Sequence, residues 1–152
     1  MIRILYLLPS LRSAGPILGT LALIKYLDPA RFQRTVFCLD PIDAHGDFVL
    51  EELKRLEVPV QSLEMPGWRC LTQARSVARL LEAERVDIVH SYGIRSDYVN
   101  VVSVGRTLSV TSVREILTQA YRLNYGRLHA AFAARAHPWI LKKMDCVIAI
   151  SE

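Results

Sequence analysis

Short, nearly continuous apolar runs alternate along the chain with segments whose apolar positions fall three and four residues apart. The first pattern predicts strands buried on both faces, the second amphipathic helices. Six strands are predicted, at about residues 2–8, 35–39, 58–63, 86–90, 109–113 and 145–150. After a loop over 9–15, the first helix is predicted from Pro16, with Ile17, Leu18, Leu21, Ile24 and Leu27 on one face. Asp28-Pro29 ends it, because the residue before a proline avoids helical geometry. Three more helices are predicted: 47–56 with Phe48, Leu53 and Leu56 inward, 71–84 with Leu71, Ala74, Val77, Ala78 and Leu81 inward, and 96–106. Loops fall at Asp40-Pro41, His45-Gly46 and 65–69. Residues 114–124 carry no decisive pattern, and a long helix is predicted over 124–144, bent at Pro138.

Strands alternating with helices imply a parallel sheet with helices on both faces, a doubly wound, Rossmann-like α/β fold. Right-handed crossovers favour the strand order 3-2-1-4-5-6. Strands one and four are then neighbours at the switch point, and the loops around Ala14-Gly15 and after His90 face one crevice. Residues 1–152 are read as a single domain of this kind.

Composition narrows the class only coarsely. With 152 residues, 51% hydrophobic and 22% charged, the chain is that of a globular protein able to bury a core. A net charge of +4 suits an anionic ligand, phospholipid head groups or nucleic acid and selects none of them. No stretch approaches the roughly 20 apolar residues of a membrane span. The apolar start is short and lacks a small-residue cleavage site, so it reads as a strand and not a signal peptide. Cys38, Cys70 and Cys146 are odd in number and lack metal-ligand spacing. Cys38 and Cys146, both in strands, are read as reduced core residues of a cytosolic protein.

Few residues carry chemistry on their face. Ser13-Ala14-Gly15-Pro16 is either a plain strand-to-helix turn or a place where backbone and helix N-terminus approach a phosphate, with Arg12 adding charge. It is neither a three-glycine dinucleotide fingerprint nor a Walker A loop. Asp40, where a ribose-binding acid would sit in a nicotinamide enzyme, reads as a loop cap. His90, at the end of strand four, can exchange a hydrogen bond with a substrate hydroxyl or simply bond nearby backbone. Tyr92, Gly93 and Arg95 follow it, and Arg114 lies just past strand five, where an arginine suits phosphate or carboxylate. Arg127, His129, Arg135, His137, Trp139, Lys142 and Lys143 mark the long helix as a solvated face or a contact for anionic lipid; Trp68-Arg69 reads similarly. Paired carboxylates at catalytic spacing, a metal cluster and a nucleophile elbow are all missing.

Taken in order, several segments resemble the N-terminal domain of family 4 (group 1) glycosyltransferases of the GT-B fold. They are Ile4-Leu5-Tyr6-Leu7-Leu8-Pro9-Ser10-Leu11 followed by Ala14-Gly15, and Leu27-Asp28-Pro29-Ala30-Arg31-Phe32 leading into Val36-Phe37-Cys38-Leu39. Leu53 to Val58 into Val60, Val86-Asp87-Ile88-Val89-His90-Ser91 and Asp145-Cys146-Val147-Ile148-Ala149-Ile150-Ser151-Glu152 complete the likeness. The resemblance implies one half of a two-domain enzyme that moves a sugar from a nucleotide-sugar donor to a sugar or lipid-linked acceptor with retention, and usually without a metal ion or other cofactor. The N-terminal half mainly holds the acceptor. Gly15 would approach the donor diphosphate or the acceptor, His90 would line the acceptor side as the catalytic candidate, and Arg114 would meet an anionic part of a ligand. Ala14, Tyr92 and Arg95 join these as candidate substrate contacts.

Two positions depart from the family pattern. Ala14 stands where a second glycine is usual, and Tyr92 where many members have a second histidine. The nucleotide-sugar domain and its glutamate motif are not among these residues, so the chain alone is expected to be inactive. The expected setting is cytoplasmic or peripheral at the inner face of a membrane, with no nucleic-acid partner. Two rival readings are a non-catalytic Rossmann-like binding module and a nucleotide-dependent oxidoreductase.

Overall fold

The computed structural model describes residues 1–42, 48–67, 69–114, 116–124 and 126–149. Along the chain these form β1 (Ile2–Leu8), α1 (Gly15–Tyr26), β2 (Phe32–Cys38), α2 (Phe48–Arg55), β3 (Val60–Ser62) and α3 (Arg69–Ala83). Then come β4 (Ile88–Ser91), α4 (Ile94–Ser103), β5 (Leu108–Val113), α5 (Leu117–Asn124), α6 (Arg127–Leu141) and β6 (Cys146–Ala149). All strands are parallel, in the order β3-β2-β1-β4-β5-β6. This is the doubly wound α/β arrangement expected, with β1 paired to β4 and Tyr6 opposite His90.

The two-residue period of β1 splits the core in two. Ile4, Tyr6 and Leu8 pack on the face covered by α1 and α2, together with Ile17, Ile24, Val36 and Leu53. Leu5 and Leu7 point the other way, against α3 and α4, with Phe37, Val77, Val89 and Val99. Helix α1 stops where the proline signal predicts, with Leu27 extended at φ −72° and ψ 130°. Arg34 Nη1 donates to the Ile24 carbonyl at 2.8 Å, satisfying one of the acceptors that a helix end leaves open.

Two aspartates set the strand register. Asp87, just before β4, accepts the Arg3 backbone N–H of β1 at 2.7 Å, and its own N–H donates to the Arg3 carbonyl. Asp145, just before β6, treats Ser109 of β5 in the same way, accepting its N–H at 2.8 Å and its hydroxyl at 2.7 Å. Those bonds to Ser109 hold the Asp145 carboxyl below the usual carboxylate range.

Beneath the ends of β4 and β5 lies a buried polar network. Asp97 of α4 has no solvent exposure. Its Oδ1 accepts from Ser91 Oγ at 2.7 Å and Thr111 Oγ1 at 2.8 Å, and its Oδ2 from His137 Nε2 at 2.6 Å. The other ring nitrogen of His137 meets the Tyr121 hydroxyl. Asn100 Nδ2 donates to Ser91 Oγ at 2.9 Å and reaches the Val89 carbonyl at 3.1 Å. One carboxylate therefore joins two strands to α4 and α6.

Several boundaries and faces differ from expectation. The long helix over 124–144 is two helices: Gly126 caps α6, and α6 runs on through Pro138 to Leu141. Helices α3 and α4 both begin two residues early, and β4 runs one residue further, to Ser91. Phe48 is 57% exposed because it opens α2 ahead of the buried Val49, Leu50 and Leu53. Leu18 and Leu71 are also exposed, each off its helix's buried face. Cys146 is not a core residue: β6 is an edge strand whose four residues are all exposed, whereas Cys38 and Cys70 are buried. Burial pushes the Cys38 thiol up to about 11. The expected loop residues His45-Gly46 and Trp68, the helix start at Asp47 and the strand end at Ile150 lie outside the described residues.

Removing the Asp97 carboxylate leaves buried donors on three elements without an acceptor. Asp97→Ala is expected to lower the unfolding free energy by about 3–5 kcal/mol in urea denaturation. His137→Ala should speed amide exchange in α6 before the sheet; an unchanged exchange map would remove the network's role as the α6 anchor.

Candidate functional site

Strands β1, β4 and β5 end side by side, and α1 begins next to them. His90 is the penultimate residue of β4, with its ring part-buried against Tyr6 at a centroid distance of 5.4 Å. Its Nε2 lies 2.8 Å from Ser112 Oγ of β5. Burial first, and the nearby Arg114 guanidinium second, lower its pKa from 6.5 to about 4, against an opposing pull from Asp97. At neutral pH the ring is uncharged, with one donor and one acceptor nitrogen.

Arg114 leaves the end of β5 and crosses to α1. Its guanidinium fills the space that a side chain at Gly19 would take: a Cβ there would stand 1.8 Å from Nη1 and 2.6 Å from Cζ. Its Nε is buried with no hydrogen-bond partner among the described residues. A half-buried guanidinium with an open donor is a position that an anion stabilises.

Ala14 and Gly15 lie at the start of α1, about one turn from Gly19. Ala14 is the N-cap in an extended conformation, φ −127° and ψ 153°, so its methyl group causes no strain. No side chain caps the helix at Ala14, and an α-helix leaves its first N–H groups without intrahelical partners. A Cβ on Gly15 would meet nothing within 4 Å, so this glycine leaves room for a ligand and relieves no internal crowding.

The remaining candidates sit differently. Arg95 faces Asp40, with Nη2 at 2.7 Å from Oδ1 and Nη1 at 3.3 Å from Oδ2, and also donates to the Met65 carbonyl at 2.9 Å. Asp40 is thus an ion-pair partner and not a loop cap, and Arg95 clamps the ends of β2 and α4 to the segment after β3. Tyr92 is half-buried against the core beneath α1 and α2, and its N–H donates to the Leu7 carbonyl at 3.3 Å. Gly93, at φ 81°, occupies a left-handed turn that opens α4. Among the described residues no three His, Cys, Asp or Glu side chains gather as metal ligands.

Residues 14–152 match the model of the glycosyl transferase 4-like domain. The chain belongs to that family. The domain is similar in fold to a glycosyltransferase from Rickettsia africae, at 20% identity and a TM-score of 0.55, over 79% of this chain and 33% of that one. It is also similar to MurG from Acinetobacter baumannii, at 13% identity and a TM-score of 0.54, over 74% of this chain and 35% of that one. It spans about a third of the length of either enzyme. No curated protein sequence is a significant match.

The glycosyl transferase 4-like domain thus sets Arg114 against α1 near His90, leaves Ala14 and Gly15 one turn away at the start of that helix, and ties Arg95 to Asp40. Gly19 and Ser112 are the site residues that sequence reasoning missed. A glycine inside α1 was a usable signal, since glycine costs a helix interior about 1 kcal/mol relative to alanine. Ser112 carried none, because nothing local links it to a histidine 22 positions away.

Two measurements test this geometry. Arg114→Gln removes a cation facing the ring, so the His90 pKa should rise above about 4 yet stay below 6.5, since burial is the larger cause. An NMR titration that finds no rise would separate the two groups. The depressed pKa also fixes a pH dependence. An unfolded His90 takes up a proton below 6.5 and the folded one only near 4, so stability is full above 6.5 and falls as pH drops between those values. From pH 8 to pH 5 the loss assignable to this group is about 2 kcal/mol, and His90→Gln should abolish it in chemical denaturation.

Proposed function

We propose that this domain forms the acceptor-side wall of a retaining glycosyltransferase that takes its sugar from a nucleotide-sugar donor, the donor-holding half being a second Rossmann-like domain. Family membership supports sugar transfer in general. The observation that carries the finer reading is an uncharged imidazole close to a guanidinium with an open donor, which in this reading take a hydroxyl and an anion. His90 and Ser112 receive the first. Arg114, seated over Gly19 with an open buried Nε, and the uncapped start of α1 receive the second.

In this reading the acceptor hydroxyl bonds to His90 and is held on the face of the sugar from which the diphosphate departs. The C1–O bond to the diphosphate breaks and the bond from C1 to the acceptor oxygen forms. An imidazole with a pKa near 4 is a poor base at neutral pH. The terminal phosphate oxygen, with a pKa of about 6, is the better destination for the hydroxyl proton. His90 therefore orients the nucleophile, while Arg114 and the α1 N-terminus stabilise charge gathering on the leaving group. Both act from one wall only, so the isolated chain is expected to be inactive.

A transfer assay of the complete enzyme against a panel of nucleotide sugars tests the proposal. Arg114→Gln should lower kcat/KM about a hundredfold, the loss of one charge-assisted contact. Gly19→Ala, which displaces the guanidinium, should lower it in the same direction while leaving stability within about 1 kcal/mol. A folded enzyme that binds ligand without any transfer would instead favour a non-catalytic binding module.

A further inference from the structure

Helix α6 is apolar on two opposite faces of different character. Its buried side carries Ala130, Ala133, His137 and Ile140. Its solvent side carries Leu128, Phe132 and Trp139, exposed by 86%, 73% and 57%. At about 100° per residue, 128, 132, 135 and 139 fall within a stripe roughly 60° wide. A helix of a globular protein ordinarily turns its large apolar residues inward. Here the core side carries two alanines beside His137 and Ile140, while Leu128, Phe132 and Trp139 face out.

The charge around the stripe is of one sign. From Ile116 to Met144 the sequence has no Asp or Glu, and it holds Arg122, Arg127, Arg135, Lys142 and Lys143. None of these has an ion-pair partner among the described residues. Lys143 Nζ sits 3.7 Å from the centroid of the Trp139 ring. On the flank of the stripe, α5 and α6 bound a cavity of about 630 Å³ whose described lining is Arg122, Arg127, Ala130, Ala131 and Ala134. Two cations thus overlook a floor of alanines. Among the described residues no helix is long and apolar enough to cross a membrane.

We propose that the outer face of α6 and the α5–α6 groove dock on an anionic lipid bilayer. Leu128, Phe132 and Trp139 enter the boundary between head groups and acyl chains, where an aromatic ring with a cationic neighbour is well solvated. Arg122 and Arg127 receive a lipid phosphate in the groove, with its glycerol and first methylenes over the alanines. Charge complementarity selects this occupant. A second copy of the chain would bring the same unpaired cations against each other, whereas an anionic membrane supplies the countercharge along the whole helix. The inference stands apart from sugar transfer, since it involves none of the crevice residues.

The test is co-sedimentation of the chain with vesicles of phosphatidylcholine alone or doped with phosphatidylglycerol. Binding to the anionic vesicles is expected to exceed binding to the neutral ones at least about tenfold and to weaken with salt. Phe132→Ser with Trp139→Ser, and separately Arg122→Gln with Arg127→Gln, should each reduce it about tenfold. All four side chains face solvent, and an unchanged urea midpoint verifies the fold. Equal binding to both vesicle types, no binding, or undiminished binding by both variants overturns the proposal. So does a stable dimer in light scattering that Phe132→Ser dissolves. Transfer to a soluble acceptor by the complete enzyme should be unaffected by the Phe132 and Trp139 changes, so this reading and the catalytic one fail separately.

Discussion

The carboxylate of Asp97 is the constraint on which the functional end of this molecule depends. A charged group with no solvent exposure is tolerated only when its lone pairs are filled, and here a serine, a threonine and a histidine fill them from three separate elements. Buried polar clusters of this kind are intolerant of slippage, because a shift of any member strands the others without partners. The ends of β4 and β5 are therefore held in fixed register beside α4, and α6 is held against them. His90 sits one residue before Ser91 and Ser112 one residue after Thr111. The network on one face of the sheet thus positions the two side chains that meet on the other.

That division of faces explains how the site combines rigidity with unsatisfied chemistry. Among the described residues, buried polar groups on the α4 side are mostly paired, with Arg95 Nε, Ser96 Oγ and Asn100 Oδ1 as exceptions. On the α1 side, Arg114 Nε is left open next to a neutral imidazole. A cation and an uncharged histidine are consistent neighbours: burial and the guanidinium both disfavour a positive charge on the ring. The position of Arg114 depends on Gly19 having no side chain.

Much of the fold was legible because it rests on short-range pattern. Strand runs, the proline stop after α1 and the crossover rule together predict the order β3-β2-β1-β4-β5-β6 and place His90 beside β1. What escaped prediction is long-range. Asp97 and His137 are 40 residues apart, and Arg95 and Asp40 are 55 apart, so no local spacing joins them. A trace of the network was present in α4, where Ser96, Asn100 and Ser103 follow helical spacing on what proves to be the buried side. A polar stripe of that kind reads as a solvated face until the core's location is known. Cys146 misled for the opposite reason: a continuous apolar run implies burial on both faces only when something covers them, and β6 is exposed throughout.

The same reasoning bears on α6, whose sequence reads equally as a basic solvated face or as a surface-seeking one. Periodicity alone cannot decide, because apolar residues lie all around the helix. The decision comes from His137. Once its Nε2 is fixed on Asp97, the helix has one permitted rotation, and Ala130, Ala133 and Ile140 must turn inward with it. Leu128, Phe132 and Trp139 are then carried outward, however unfavourable their contact with water. A hydrophobic helix left to itself would roll to hide its aromatic residues. This one is prevented from rolling by the buried hydrogen bonds of His137 to Asp97 and Tyr121, so the exposed stripe is imposed by the interior and persists until something outside covers it.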